Sequence, residues 1–170
     1  MTVFVLDTSA ILSGKPIDIH GKLVTVPSVE KEMMKEENDR RAFVFLKVKG
    51  LKVYTPSEEA VALVENVARQ SGEEKRLSFT DKEVLALAVD MKKKEDVCLL
   101  TDDYSMQNMA TLLGITYEGF SQHGILEQFI WKYRCIGCKK VFKEYMPSCP
   151  VCGSSLKTVV KKRFPLHRKR

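Results

Sequence analysis

Thr2-Val3-Phe4-Val5-Leu6-Asp7-Thr8-Ser9 opens the chain with an apolar run, rich in β-branched and aromatic residues, that stops at an acid. The run shows no polar alternation, so it reads as a strand buried on both faces, the pattern of a parallel sheet. Val97-Cys98-Leu99-Leu100 repeats it and ends in Thr101-Asp102-Asp103. Shorter extended segments are read at 23–26, 51–54 and 115–117. Helical segments lie between them. Ser28 is placed to cap a helix through 38, with Glu30 and Glu32 in its early turns. Residues 40–49 form a further helix stopped by Gly50, and Pro56-Ser57-Glu58-Glu59 opens another that runs to 70. Thr80-Asp81-Lys82-Glu83 reads as a capping box on a helix whose apolar side is Val84, Leu85, Leu87, Ala88 and Met91. Residues 104–113 form the last helix, closed by Gly114. Between these helices, residues 71–76 read as a polar, mobile loop. The alternation predicts an α/β fold, a parallel sheet flanked by helices, over residues 1–120.

The 170 residues suit one domain with a small appendage, and 44% hydrophobic with 29% charged residues excludes wholesale disorder. No apolar run approaches the roughly 20 residues that cross a bilayer. The N-terminus lacks a basic lead before Asp7, so no secretory signal is read there. A cytoplasmic chain with no membrane partner is expected. The net charge of +6 is unevenly spread: residues 131–170 carry +11 and residues 1–130 carry −5. A basic end on an acidic body suits a protein that binds nucleic acid with one part and acts with the other. A merely solvated basic tail is the plainer alternative.

Cys135-Ile136-Gly137-Cys138 and Cys149-Pro150-Val151-Cys152-Gly153 are two C-x-x-C pairs ten residues apart. Each pair offers two thiolates from one tight turn, and two facing turns complete a tetrahedral S₄ site. Gly137 and Gly153 leave room for amides to approach the sulfurs. So short a segment cannot bury enough core alone, so the metal supplies folding energy. Iron fits an S₄ site, but nothing else here suggests electron transfer, and Zn²⁺ is the expected ion. With all four positions filled by protein, the ion is structural. Cys98, inside an apolar strand, is read as a small core residue. The expected organisation is a sheet domain at 1–120, a connector at 121–130, a zinc ribbon at 131–160 and a basic tail at 161–170.

Asp7 and Asp102 each follow an apolar strand, and ligands of open parallel sheets bind outside the carboxyl ends of the strands. Glu30 and Asp81 lie in first turns of helices that start at the same edge. Each acid alone is explained by a helix N-terminus. Four together would repel one another without a divalent cation, and Mg²⁺ or Mn²⁺ prefers oxygen ligands. Such a cluster suits phosphodiester hydrolysis. The three histidines, His20, His123 and His167, show no ligand spacing.

The runs Phe4-Val5-Leu6-Asp7-Thr8-Ser9-Ala10, Pro27-Ser28-Val29-Glu30, Thr80-Asp81-Lys82-Glu83-Val84-Leu85-Ala86-Leu87-Ala88 and Leu100-Thr101-Asp102-Asp103-Tyr104 closely resemble the PIN-domain nuclease pattern. The resemblance covers about residues 1–120 and implies a metal-dependent endoribonuclease acting on single strands. Carried over by position, Asp7, Glu30, Asp81 and Asp102 match the catalytic, cation-binding quartet, with Glu32 two residues from Glu30. Ser9, or else Thr8, matches the hydroxyl helper, and Asp103 is an auxiliary acid.

A PIN pattern followed by a four-cysteine ribbon, with Thr101-Asp102-Asp103-Tyr104-Ser105-Met106-Gln107-Asn108, resembles the Nob-type ribosome-maturation endonucleases, and the short chain resembles their archaeal form. That resemblance implies cleavage of precursor small-subunit rRNA at its mature 3′ end, with the pre-ribosomal particle as partner and no small-molecule cofactor beyond the metals. Lys139, Lys140, Lys143, Lys161, Lys162 and Arg163, with tail residues Arg168, Lys169 and Arg170, are expected to bind RNA. Tyr133, Phe142 and Tyr145 are available to stack on bases or to pack the ribbon. Rival readings are a PIN-type toxin, against which the ribbon argues, and a non-catalytic RNA- or ribosome-binding adaptor.

Overall fold

The computed structural model describes residues 1–13, 20–119 and 127–165. Two sheets are present among them. The first holds β1 (Val3–Leu6), β2 (Lys22–Thr25), β3 (Lys52–Val53), β4 (Val97–Leu100) and β5 (Thr116–Glu118), all parallel, in the order β3-β2-β1-β4-β5. The second is antiparallel: β6 (Glu127–Cys135) lies between β7 (Val141–Phe142) and β8 (Leu156–Pro165). The helices are α1 (Thr8–Leu12), α2 (Pro27–Met33), α3 (Glu37–Val48), α4 (Glu58–Ser71), α5 (Phe79–Lys92) and α6 (Tyr104–Leu112).

The strand order decides where a site can form. From β1 the chain winds outward through β2 to β3, then crosses back so that β4 pairs with the other side of β1. Strand order therefore reverses between β1 and β4, and a crevice opens at their carboxyl ends. The register sets Leu6 beside Leu100, so the residues that follow, Asp7 and Thr101, emerge together there.

Helix α5 makes the crossover and is the centre of the core. Thr80, Val84, Leu85, Ala86, Leu87 and Ala88 are all buried, a wider apolar girth than the single side expected. The outer face is buried as well because α4 and α6 pack on α5 beside β1 and β4. Every residue of β4 is buried, Cys98 included, and burial pushes that thiol up to about 12, so it stays a protonated core group.

Several local expectations are corrected. The capping box of α5 is Ser78 with Asp81, two residues earlier than Thr80 with Glu83: Ser78 N–H donates to Asp81 Oδ2 at 2.7 Å, and Asp81 N–H donates to Ser78 Oγ. Helix α2 starts at Pro27 and ends at Met33; Ser28 lies inside it, and the carboxylate of Glu83 accepts from both its N–H (3.1 Å) and its hydroxyl. The polar segment 71–76 is not a free loop, since Ser71, Gly72 and Glu73 are buried. Gly72 closes α4 with a positive φ of 79°, a conformation glycine adopts without steric cost, and Asn108 donates to Glu73 Oε1 at 2.7 Å. Strand β6 begins inside the expected connector, and β8 runs into the expected basic tail.

Candidate active site and metal centre

Asp7 leaves β1 at the point where strand order reverses, 5% exposed, and accepts hydrogen bonds from Thr8 N–H (2.6 Å), Ser9 Oγ (2.9 Å) and Thr101 Oγ1 (2.7 Å). The last two hydroxyls are themselves tied to the loop after β4: Ser9 Oγ accepts from Asp102 N–H at 3.4 Å, and Thr101 Oγ1 from Asp103 N–H at 3.1 Å. Asp7 thus stitches the two strand ends together. Burial pushes its carboxyl above the ordinary aspartate range despite these donors, and the charge of Asp103 adds to the shift. Asp81 is raised too, first by burial and then by the charges of Asp7 and Asp103, with the Ser78 hydrogen bonds opposing.

Glu30 does not take the position expected of it. Glu30 points to α3, where its carboxylate lies 3.8 Å from Lys47 Nζ. Glu32 takes the inner position, accepting from Thr8 Oγ1 at 3.0 Å and Thr80 Oγ1 at 2.6 Å, neighbours of Asp7 and Asp81. Residues two apart on a helix are separated by about 200°, so the two glutamates flank the buried Val29 and Met33 on opposite sides. Likewise Asp103, expected as an auxiliary, is the acid whose charge reaches Asp7 and Asp81. The Asp102 N–H donates to Ser9 Oγ, and its carboxylate lies beside Gly119. A Cβ at Gly119 would lie 2.9 Å from Asp102 Oδ1. Asp103 also caps α6, accepting from Met106 N–H at 2.9 Å.

Hydrogen bonds through Thr8, Ser9, Thr80 and Thr101 link Asp7, Glu32 and Asp103, and the charges of Asp7 and Asp103 reach Asp81. Thr80 and Thr101 carry weight that sequence reading did not give them, and Thr8, expected only as the alternative hydroxyl helper, holds Glu32. Their signal was position: each threonine stands next to an acid in the sequence. The Gln107-Asn108 pair has a supporting part, Gln107 donating to the Thr101 carbonyl at 2.9 Å and Asn108 to Glu73. The donor set is all oxygen, and in Asp7 and Asp81 burial first, then neighbouring negative charge, favours the protonated form. That chemistry fits Mg²⁺ or Mn²⁺.

The cysteine quartet is compact. The Sγ atoms of Cys135, Cys138, Cys149 and Cys152 all lie within 4.8 Å of one another, the one such ligand group found among the described residues. Cys135 and Cys152 are 3.3 Å apart and Cys138 and Cys149 3.6 Å. A Cβ at Gly137 would sit 3.1 Å from Cys152 Sγ, so this glycine makes room for the facing turn itself. Val151 N–H donates to Cys149 Sγ at 3.4 Å, and the Ser154 hydroxyl and amide pull the Cys152 thiol down to about 5. These four thiols form a structural zinc site. Lys139, Lys140 and Lys143 are exposed around it, Lys139 donating to the Ile136 carbonyl at 2.6 Å. In β8, Lys162 pairs with Ile130 and Arg163 with Phe129, and Lys161 falls at the register shift between them and Val160. Arg168, Lys169 and Arg170 lie outside the described residues, as do His123 and His167; His20 is exposed. Tyr133 is 2% exposed: its hydroxyl donates to the Gly72 carbonyl at 3.1 Å and its ring meets Tyr145 edge-on at 5.6 Å. It packs the ribbon against the body and is not free to stack on a base.

Acids braced by hydroxyls at the switch point of a parallel sheet, beside a four-thiolate ribbon, fit a metal-dependent nuclease. The comparisons with known proteins agree. A family model described as the PIN domain of ribonuclease matches residues 4–91. Endoribonuclease Nob1 of Archaeoglobus fulgidus is 39% identical over 153 residues, covering 89% of this chain and 87% of its own length. Endoribonuclease Nob1 of Pyrococcus abyssi is 37% identical over 161 residues, 94% of each chain. Ribonuclease VapC1 of Thermoplasma acidophilum is 36% identical over 167 residues, 98% of this chain and 83% of its own. The chain belongs to the PIN-domain ribonucleases and is a metal-dependent endoribonuclease. The Ribonuclease VapC1 match covers 98% of this chain and so takes in the cysteine region.

Proposed function

We propose that this enzyme cleaves precursor small-subunit rRNA to its mature 3′ end within a pre-ribosomal particle in the cytoplasm. The observation that carries the chemistry is the grouping of Asp7, Glu32, Asp81 and Asp103 where strand order reverses. These residues would hold Mg²⁺ or Mn²⁺, which when bound supplies an activated water and charge neutralisation at the leaving oxygen. The protein's own part is positional. Ser9 and Thr101 orient Asp7, Thr8 and Thr80 clamp both oxygens of Glu32, and Ser78 and the Met106 amide fix Asp81 and Asp103. Held this way, the carboxylates need no rearrangement when charge develops. RNA affinity is assigned to the basic ribbon, since a body of charge −5 repels a phosphate backbone.

The ribosomal substrate is supported by the full-length similarity to Nob1 endoribonucleases. Incubation with precursor small-subunit rRNA fragments plus Mn²⁺ or Mg²⁺, followed by mapping of the new ends, tests it. One dominant cut at the mature 3′ end is expected; scattered cuts contradict it. The second reading, a toxin cutting translation-related RNA, is favoured by the VapC1 similarity and would show preferred cleavage of such RNA over the precursor.

A further inference from the structure

Two large aromatic side chains stand in solvent at the entrances of the helices that carry the site. Phe79, 75% exposed, is the first residue of α5, two positions before Asp81. Tyr104, 60% exposed, is the first residue of α6, directly after Asp103. A chain of hydrogen bonds joins the two helix starts: Thr80 and Thr8 both donate to Glu32, Thr8 N–H and Thr101 both donate to Asp7, and Asp103 N–H donates to Thr101 Oγ1, so both rings stand beside the same acids. Neither ring packs the core, whose aromatic content near α5 lies elsewhere. The ribbon aromatic Tyr133 is consumed by its contact with Gly72.

We propose that Phe79 and Tyr104 form a stacking platform for unpaired bases on either side of the scissile phosphate. The proposal rests on the reading of the cluster as the RNA-cleaving site and adds a class of substrate contact to it. Three features favour nucleobases as the occupant. The body is acidic, so a strand entering the site gains little from phosphate attraction there. A π-face stacks on any base, which holds a strand without reading its sequence. Bases in a duplex are already stacked and their faces are closed, so the platform selects single strands, loops and ends.

The test uses the full chain with a single-stranded RNA carrying 2-aminopurine beside the cleavage position, without added Mg²⁺ or Mn²⁺ so that nothing is cut. Binding should quench the fluorophore, as stacking on an aromatic ring does. Phe79→Ala and Tyr104→Ala should each weaken binding about 5- to 100-fold and diminish the quench. Phe79→Tyr and Tyr104→Phe should restore both, which separates stacking from folding. Removing the flanking base from the RNA should cost the wild type affinity but cost the double alanine variant little. Stabilisation by Mn²⁺ in a thermal melt should be the same for all these variants, since none alters the carboxylates. An unquenched wild-type complex, or an equal penalty for base removal in wild type and double variant, overturns the proposal and leaves the rings to a protein partner. Loss of the nuclease reading shows differently: quenching persists while no RNA is cut in Mn²⁺ or Mg²⁺.

Discussion

Asp7 concentrates the chemistry of the site into one buried carboxylate whose ionised form is disfavoured in the folded chain. A raised pKa in the folded state means that its contribution to stability is full below the unfolded value and is lost as pH rises through the folded value. Asp81 acts in the same direction. Removing the charge should therefore help the cation-free fold: Asp7→Asn should melt a few degrees higher than wild type at neutral pH, at roughly 2–4 °C per kcal/mol for a chain of this size. The difference should vanish below the ordinary aspartate range. Melting curves against pH check it, and an Asn variant less stable at neutral pH would show that the hydrogen bonds of Asp7 outweigh its burial. Thr80→Val leaves shape nearly unchanged but removes one clamp on Glu32, and should weaken Mn²⁺ binding about 10- to 100-fold, with Thr80→Ser restoring it. Isothermal titration of Mn²⁺ measures this.

Among the elements, β1 and β4 are legible because a strand buried on both faces leaves an unbroken apolar run, and an acid after such a run marks the carboxyl edge. The cysteine turns are legible because tetrahedral thiolate coordination demands their spacing. What escapes is which side an element turns to its neighbours. Helix α2 offers Glu30 and Glu32 on opposite flanks of one apolar stripe, and only the packing of α2 against α1 and α5 selects Glu32. In Thr101-Asp102-Asp103, which follows β4, Asp103 caps α6 and its N–H bonds Thr101, contacts that no sequence period records. Segment 71–76 looks mobile by composition, and its burial follows from the ribbon and α6 closing over it, which no local pattern records. At the ribbon, removing zinc with a strong chelator should melt β7 and the cysteine turns while the circular dichroism of the helices persists. Loss of the helical signal in the same step would show that the two sheets fold as one unit.

Across the whole molecule, charge and chemistry are divided between the ends of the chain. The body is acidic and carries the carboxylates, and the last forty residues are basic. Three exposed lysines of the ribbon, Lys139, Lys140 and Lys143, are the described part of that basic surface. Each phosphate contact adds about −0.7 to the log–log salt slope of single-strand binding, so changing all three to Gln should flatten the slope by about 2. Cleavage at saturating RNA should change little. An unaltered slope would place the phosphate contacts elsewhere. The ribbon reaches the body through the Tyr133 hydroxyl on the Gly72 carbonyl and Lys75 over the Tyr145 ring. The central claim remains the composition of the carboxylate cluster, and paired substitutions test it most directly. Single-turnover cleavage of RNA in Mn²⁺ should be abolished by Glu32→Gln and Asp103→Asn but persist in Glu30→Gln and Asp102→Asn. Activity surviving in the first pair and lost in the second would contradict the geometry described for this site.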